Sequence, residues 1–413
     1  MDLALRWDYE VDAVLACLGD SLRPFMPEHP ISRRDFTRLA AAATAASTLP
    51  LKQAGDATAA APLAPRPLWP GYNDAVVIDC LANVTYFNSP DQYVKPLSPD
   101  MLENARKSGI TAVNATCSGG GVGAPAFIQT VQNIAYYERE LAAHPDVLMK
   151  IRTLADLKEA KRSGRVGIIL GFQDAVMLDA DVSRVDLFHS LGVRIIQLTY
   201  NVRNLLGDGC LEPANSGLST FGRRVIERMN DVGMLVDLGH VGRQTSADAV
   251  KASKKPVAAT HTGCASLNDV PRNKPDALLK AIADTGGVVG IYLMPFLRSG
   301  TAPNADDVVR HIGRAVDVCG EDHVGIGSDL SITPLDITAE FRAKHVQFVQ
   351  NRRRAGIMAP GEDENVFNYV ADFNQPRRME LIADALAKAG HGSARIAKII
   401  GGNWQRLLGD VWT

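Results

Sequence analysis

Histidine is scarce in this chain, nine in 413 residues, and two of the nine end neighbouring apolar runs. "MLVDLGH" closes on His240 and "PVAATH" on His261. Neutral imidazole is the commonest side-chain ligand of zinc. A later run, "HVGIGSD", closes on Asp329, a carboxylate able to move a proton or to join a ligand set. Two imidazoles and a carboxylate suit a catalytic zinc site and equally a non-haem iron site, and the sequence does not choose between Zn2+ and Fe2+. Three more runs lead into candidate site residues: "VGIILGF" into Gln173 and Asp174, "RIIQLTY" into Tyr200 and Asn201, and "AVVID" into Cys80, Leu81 and Asn83. The amide oxygen of Gln173 is a weak further donor, and Asn201 is read as a substrate-binding side chain. The bland alternative is a pair of hydrogen-bonded histidines in a polar cleft.

These residues can meet only if the runs are strands of one sheet. Eight runs qualify: 75–79, 110–116, 166–172, 194–200, 234–240, 256–261, 287–293 and 323–329. All are β-branched and apolar on both parities, as strands covered on both faces must be. Helix-length segments such as 124–143, 221–232 and 306–318 separate them. Eight strands with helical crossovers predict a (β/α)8 TIM barrel, with the chemistry at the strands' C-terminal ends. An open doubly wound sheet is the competing fold, but no GxGxxG follows the first strand. "GGGVG" (119–123) lacks the Lys-Ser/Thr of a phosphate loop and reads as a plain loop, and no G-x-S-x-G nucleophile elbow is present. The tail from Arg377 to Trp412 reads as helices packed on the barrel's outside.

Hydrophobic residues make up 46% and charged residues 22% of the chain, enough for a large core. A formal net charge of -2 gives no electrostatic reason to expect nucleic acid or an anionic membrane. The six cysteines form no CxxC pair, against a zinc ribbon or disulfide scaffold. Residues 1–70 differ in kind. "ISRRDFTRLAAAATAASTLPL" sets Arg33 and Arg34 before a short Ala-rich run, followed by small residues around Ala59 to Ala61. This predicts a twin-arginine export signal and a periplasmic barrel over 71–413, with a disordered Ala/Pro-rich leader as the alternative. Met26 is a better start for such a signal than Met1. No run is long enough for a stable membrane span.

The stretches "GLSTFGRRVIERMNDVGMLVDLGHVG", "PVAATHTGCASL", "PRNKPDALL", "DHVGIGSDL" and "IIGGNWQRLL" resemble the membrane (renal) dipeptidase family of the amidohydrolase superfamily, from about Asp74 to Leu408. The resemblance implies a metallo-dependent hydrolase barrel with two zinc ions bridged by a strand-three Glu. A His and an Asp after strand one complete the first zinc, and the histidines of strands five and six complete the second. An Asp of strand eight moves protons, a His of strand four holds the scissile carbonyl, and an Arg after strand six binds the substrate carboxylate. Carried over, His240 and His261 match the second metal's ligands, Asp329 the proton carrier and Arg272 the carboxylate binder. Four positions depart: Leu81 and Asn83 stand at vacated first-metal positions, Gln173 replaces the bridging Glu, and Tyr200 replaces the carbonyl-holding His. Two divalent ions side by side need anionic ligands between them, so one ion at most is expected.

Cys80, Cys117 and Cys264 lie near strand ends but read as small buried hydrophobes. Asp79 reads as structural, Asp174 as an exposed loop carboxylate, and Arg352, Arg353 and Arg354 as a solvated helix face. Two functions remain open. One is a hydrolase using one ion on a dipeptide or small amide, with Tyr200 donating to the oxyanion. The other is a metal-poor homologue that binds or tailors an exported peptide-derived metabolite. The family resemblance also suggests a homodimer.

Overall fold

The computed structural model describes residues 68–86, 91–120 and 123–412. The stretch expected to be a twin-arginine leader, including Arg33, Arg34 and Ala59 to Ala61, lies outside the described residues. Eight parallel strands follow one another around a sheet: β1 (Ile78–Asp79), β2 (Ala112–Thr116), β3 (Val166–Phe172), β4 (Val193–Gln197), β5 (Leu235–Asp237), β6 (Ala258–Thr262), β7 (Val288–Ile291) and β8 (Val324–Ile326). Each overlaps one predicted run, with β4 beginning one residue before its run and β6 ending one residue past its own. The ring closes where Cys80 N donates to Ile326 O at 3.0 Å. Just beyond, Ala82–Asn83 pairs in parallel with Leu330–Ser331. The fold is the expected (β/α)8 barrel.

Helices cover the outside: α1 (Pro99–Ser108), α2 (Gly123–Ala143), α3 (Leu154–Ser163), α4 (Arg184–Ser190), α5 (Thr220–Val232), α6 (Arg243–Ala252), α7 (Asp276–Asp284) and α8 (Ala305–Cys319). Their ends follow local chemistry. Ser219 caps α5 by accepting from Gly222 N, and Gly233 ends it at φ 73°, where a side chain would be strained. Asn304 and Asp307 form a capping box on α8. The β2–β3 connection holds more than was expected: a short strand, Leu148–Lys150, pairs with β3 ahead of α3.

Past β8 come α9 (Ala339–Arg354), α10 (Arg378–Lys388), α11 (Ser393–Ala397) and α12 (Asn403–Val411). The tail does not simply lie on the barrel's outside. Trp404, Leu407, Leu408 and Val411 of α12 cluster with Ile78, Ala112, Ile169, Ile195, Leu235, Ala258 and Val288, one residue from each of β1 to β7. These positions alternate with the outward residues that meet the helices, so α12 seals the barrel's lower interior. Trp404 is fully buried and donates from Nε1 to Ile326 O at 3.0 Å. A Cβ on Gly325 would sit 2.3 Å from that nitrogen, so only glycine admits the indole.

Candidate active site

The upper ends of the strands surround a cavity of about 210 Å³, lined among others by Asn83, Gln173, Tyr200, His240, Arg272, Asp329 and Arg352. His240 lines it, and His261 stands beside His240 without lining it, ring centroids 4.8 Å apart. Each ring is oriented from behind. His240 Nδ1 lies 2.5 Å from Asn201 Oδ1, and Asn201 Nδ2 donates to Ile357 O at 2.8 Å. The amide is thereby fixed with oxygen toward the imidazole, so the proton sits on Nδ1 and Nε2 is a bare lone pair. That Nε2 is buried without a partner among the described residues. His261 Nδ1 lies 2.9 Å from Thr260 Oγ1, whose hydroxyl donates to Asp237 Oδ2 at 2.7 Å. Its Nε2 lone pair likewise faces inward, 3.5 Å from Gln173 Nε2. Burial, then the nearby Arg272 charge, holds both histidines well below the usual imidazole range, which keeps them neutral.

Asp329, three residues past β8, has a left-handed backbone, φ 62°, held by its N–H donating to Leu81 O at 2.8 Å. The turn aims the carboxylate at the cavity, where Oδ1 accepts from Gln173 Nε2 at 3.4 Å. Burial pushes this carboxyl up to about 7, against the pull of Arg272. Arg272, 1% exposed, donates from Nη1 to Gly239 O at 2.7 Å while Nη2 is a buried donor with no hydrogen-bond partner among the described residues. Tyr292 and Phe296 flank its guanidinium at 5.6 and 5.9 Å. Tyr200 stacks on His240, centroids 4.1 Å apart, and burial raises its phenol.

The remaining residues separate by place. Asn201 lies behind His240, fully buried, rather than on the cavity wall. Leu81 is buried and contributes its backbone oxygen to Asp329. Asn83 reaches the wall with its Oδ1 taken by the Tyr137 hydroxyl at 2.9 Å. Asp79 accepts from Ser328 N at 2.7 Å beneath the site. Cys80, Cys117 and Cys264 are buried free thiols pushed upward by burial. Among the described residues no three of His, Cys, Asp and Glu converge to hold an ion.

Two expectations need correction. Asp174 is half-buried, not an exposed loop carboxylate. It accepts from Asn204 Nδ2 and Ala175 N, and burial pushes it up to about 6. Arg352 is not on a solvated face. Arg353 and Arg354 are exposed, but Arg352 turns inward, pairs with Glu362 and lines the cavity. Sequence reasoning also missed Gln197. Fully buried, it donates to Gln173 O and accepts from His240 N, tying β3, β4 and β5 into one support. Its only signal was an amide set between the apolar Ile196 and Leu198.

The comparisons with known proteins agree with this geometry. Residues 98–339 match the model of the membrane dipeptidase family, peptidase family M19. Dipeptidase verJ of Clonostachys rogersoniana is 33% identical over 222 residues, 51% of this chain and 56% of that protein. Dipeptidase tcpJ of Claviceps purpurea is 32% identical over 212 residues, 50% and 49% of the two chains. The chain thus spans about half the length of these curated relatives. An amidohydrolase structure from Pseudomonas aeruginosa superposes with a TM-score of 0.69 at 33% identity, covering 83% of this chain and 98% of that one. A metallopeptidase from Rhodobacter sphaeroides, solved with a phosphinate mimic of L-Ala-D-Ala, shares the fold at 19% identity and a TM-score of 0.67, covering 82% of this chain and 99% of that one. With the family's model matching more than half of its length, the chain belongs to the membrane dipeptidase family, peptidase family M19.

Proposed function

We propose that the barrel mouth hydrolyses the amide bond of a dipeptide or comparably small amide, using one divalent ion at most. The single observation that carries this is the meeting, in one small cavity, of the His240 Nε2 lone pair, the Asp329 carboxyl and Arg272 Nη2, the first and last without a partner among the described residues, with His261 Nε2 reaching Gln173 of the same lining. The cavity lies below the ~300–1,000 Å³ typical of sites for drug-sized ligands, which suits a small substrate. Membership of this family implies a divalent ion. The residues suit one ion and not a pair. His240 and His261 would hold it through Nε2, and the Gln173 amide, whose nitrogen faces His261 and Asp329 here, would turn its oxygen inward to serve as a weak partner. The first-metal positions offer only Leu81 and Asn83, and Gln173 brings no charge to bridge two cations. Such an ion, Zn2+ or Fe2+, would acidify water and polarise the carbonyl.

The chain's own groups do the rest. The free Arg272 Nη2 binds the terminal carboxylate of the substrate. Asp329 takes a proton from water as its oxygen attacks the carbonyl carbon. It returns that proton to the amine nitrogen as the C–N bond breaks. The Tyr200 hydroxyl donates to the oxyanion. L-Ala-D-Ala hydrolysis, followed with a wider dipeptide panel and with metal analysis of the purified protein, tests the reading. The expected result is no more than one ion per chain and amino-acid release that Asp329→Asn lowers by about 10²–10⁴-fold. A folded, metallated protein that cleaves no dipeptide would favour a second reading, a homologue that tailors a peptide-derived metabolite. The three neutral replacements at Leu81, Asn83 and Gln173 give that reading its support.

The Arg33–Arg34 leader supports export by the twin-arginine route to the periplasm. Replacing both arginines by lysine should hold the protein in the cytoplasm, read by fractionation. No helix among the described residues is long and apolar enough to cross a membrane.

A further inference from the structure

We propose that Arg352, anchored by Glu362, is a positioning residue that turns the Tyr200 hydroxyl into an obligate hydrogen-bond donor facing the cavity. This rests on the dipeptide-hydrolysing reading of the site and adds a residue to it. Arg352 is the inward member of the arginine triplet that ends α9. Its Nε and Nη2 donate to the two carboxylate oxygens of Glu362 at 2.8 and 2.7 Å, and Nη2 also reaches Ile357 O at 3.2 Å. The pair is nearly sealed from water, with side-chain exposures of 11% and 6%. A two-pronged contact of this kind fixes the plane of the guanidinium. One nitrogen is left, and Nη1 donates to the Tyr200 hydroxyl oxygen at 3.3 Å.

The direction of that bond is decided by chemistry. A guanidinium has donors only, so the phenol oxygen must accept. Its own O–H is then released for another acceptor, and Arg352 is the hydroxyl's one partner among the described residues. The ring cannot swing away. One face stacks on His240 at 4.1 Å, and Arg352 Cζ stands 5.7 Å from the ring centroid. Phe348, one helical turn before Arg352, packs against the guanidinium at 5.3 Å and lines the same cavity. A clamped phenol whose lone pair is occupied by a fixed cation presents its proton to the substrate carbonyl. It is already oriented when charge develops on that oxygen. Glu362 keeps the cation in place and neutralises its burial, without which a guanidinium here would be costly.

The test is a mutant cycle on the full chain, with L-Ala-D-Ala as substrate and its phosphinate mimic as the tetrahedral oxyanion. Arg352→Met is made together with Glu362→Gln, so that no buried carboxylate is left unpaired. Tyr200→Phe should lower kcat by about 10²-fold. The Arg352→Met/Glu362→Gln protein should lose about tenfold in kcat and in phosphinate affinity, with KM changed less than about threefold. Added to Tyr200→Phe, the same pair should cost nothing more, because its effect runs through a hydroxyl no longer present. Losses that multiply, or a change confined to KM, would overturn the proposal while leaving the dipeptidase reading intact. If the double variant does not fold, Glu362→Gln alone takes its place in the cycle with the same pattern expected at smaller amplitude. A wild-type protein that neither cleaves L-Ala-D-Ala nor binds the phosphinate would remove the underlying reading, and this proposal with it.

Discussion

Gly239 shows how little room the site leaves its own residues. A Cβ there would lie 2.6 Å from Gln197 Oε1 and 2.7 Å from His261 Cε1, so both ligand-side supports would have to shift. Gly239→Ala should weaken metal binding by about 10–100-fold, the usual cost of disturbing groups that orient a ligand, as read by competition with a chelator. Asp329 invites a cleaner separation of charge from backbone. Asn tolerates positive φ as Asp does, so Asp329→Asn removes the base and keeps the turn. Lys274 carries a pH dependence. It is buried, its Nζ donates to Val241 O and Ser246 Oγ at 3.2 and 3.4 Å, and burial, then Arg272, brings it down to about 7. A lysine depressed on folding contributes stability that is complete above its unfolded value and is lost as pH falls through the folded one. Compared with Lys274→Met, the wild type should therefore gain about 1.4 kcal/mol per pH unit between pH 7.5 and 9.5, measured by denaturant titration at each pH.

Two helices after the last strand carry more than their sequence suggests. α12 closes the barrel floor through Trp404, whose indole fills the space left by Gly290 and Gly325. Trp404→Ala would open a cavity against β7 and β8 at the barrel floor and should cost about 3–5 kcal/mol, seen as a lower denaturant midpoint with unchanged slope. α9 brings Phe348 and Arg352 to the opposite end. The sequence shows why this was missed: Arg352, Arg353 and Arg354 are identical in type and adjacent. Only the seating of the helix decides which one of the three faces inward. A charge run on a helix is most often solvated, and two of these three arginines obey that.

For the molecule as a whole, the described residues form two apolar clusters, one between strands and outer helices and one inside the barrel closed below by α12. A chain shortened to begin at Leu68 should still fold cooperatively, checked by calorimetry, because Trp69 and Tyr72 remain buried and bonded to Ser393 and Ser108. Refilling the vacated positions is the complementary experiment. Leu81→His, Asn83→Asp and Gln173→Glu made together should raise metal content from one ion to two, by elemental analysis, since a lone new carboxylate would lack a second cation to share it. What the sequence by itself determined was the order of eight buried strands and the residues that end them. Apolar runs covered on both faces leave little choice of element, and a parallel barrel puts every strand's end at one rim. His240, His261, Gln173, Tyr200 and Asp329 therefore met as expected. Tertiary structure alone decided what stands behind and across from them. Asn201 turned from the cavity to orient His240, Gln197 joined three strands, α12 entered the barrel floor, and Arg352 reached Tyr200 across 152 residues of chain. These contacts depend on how separate elements dock, a matter of shape and of compensating buried charge. No local pattern of residue types records that docking.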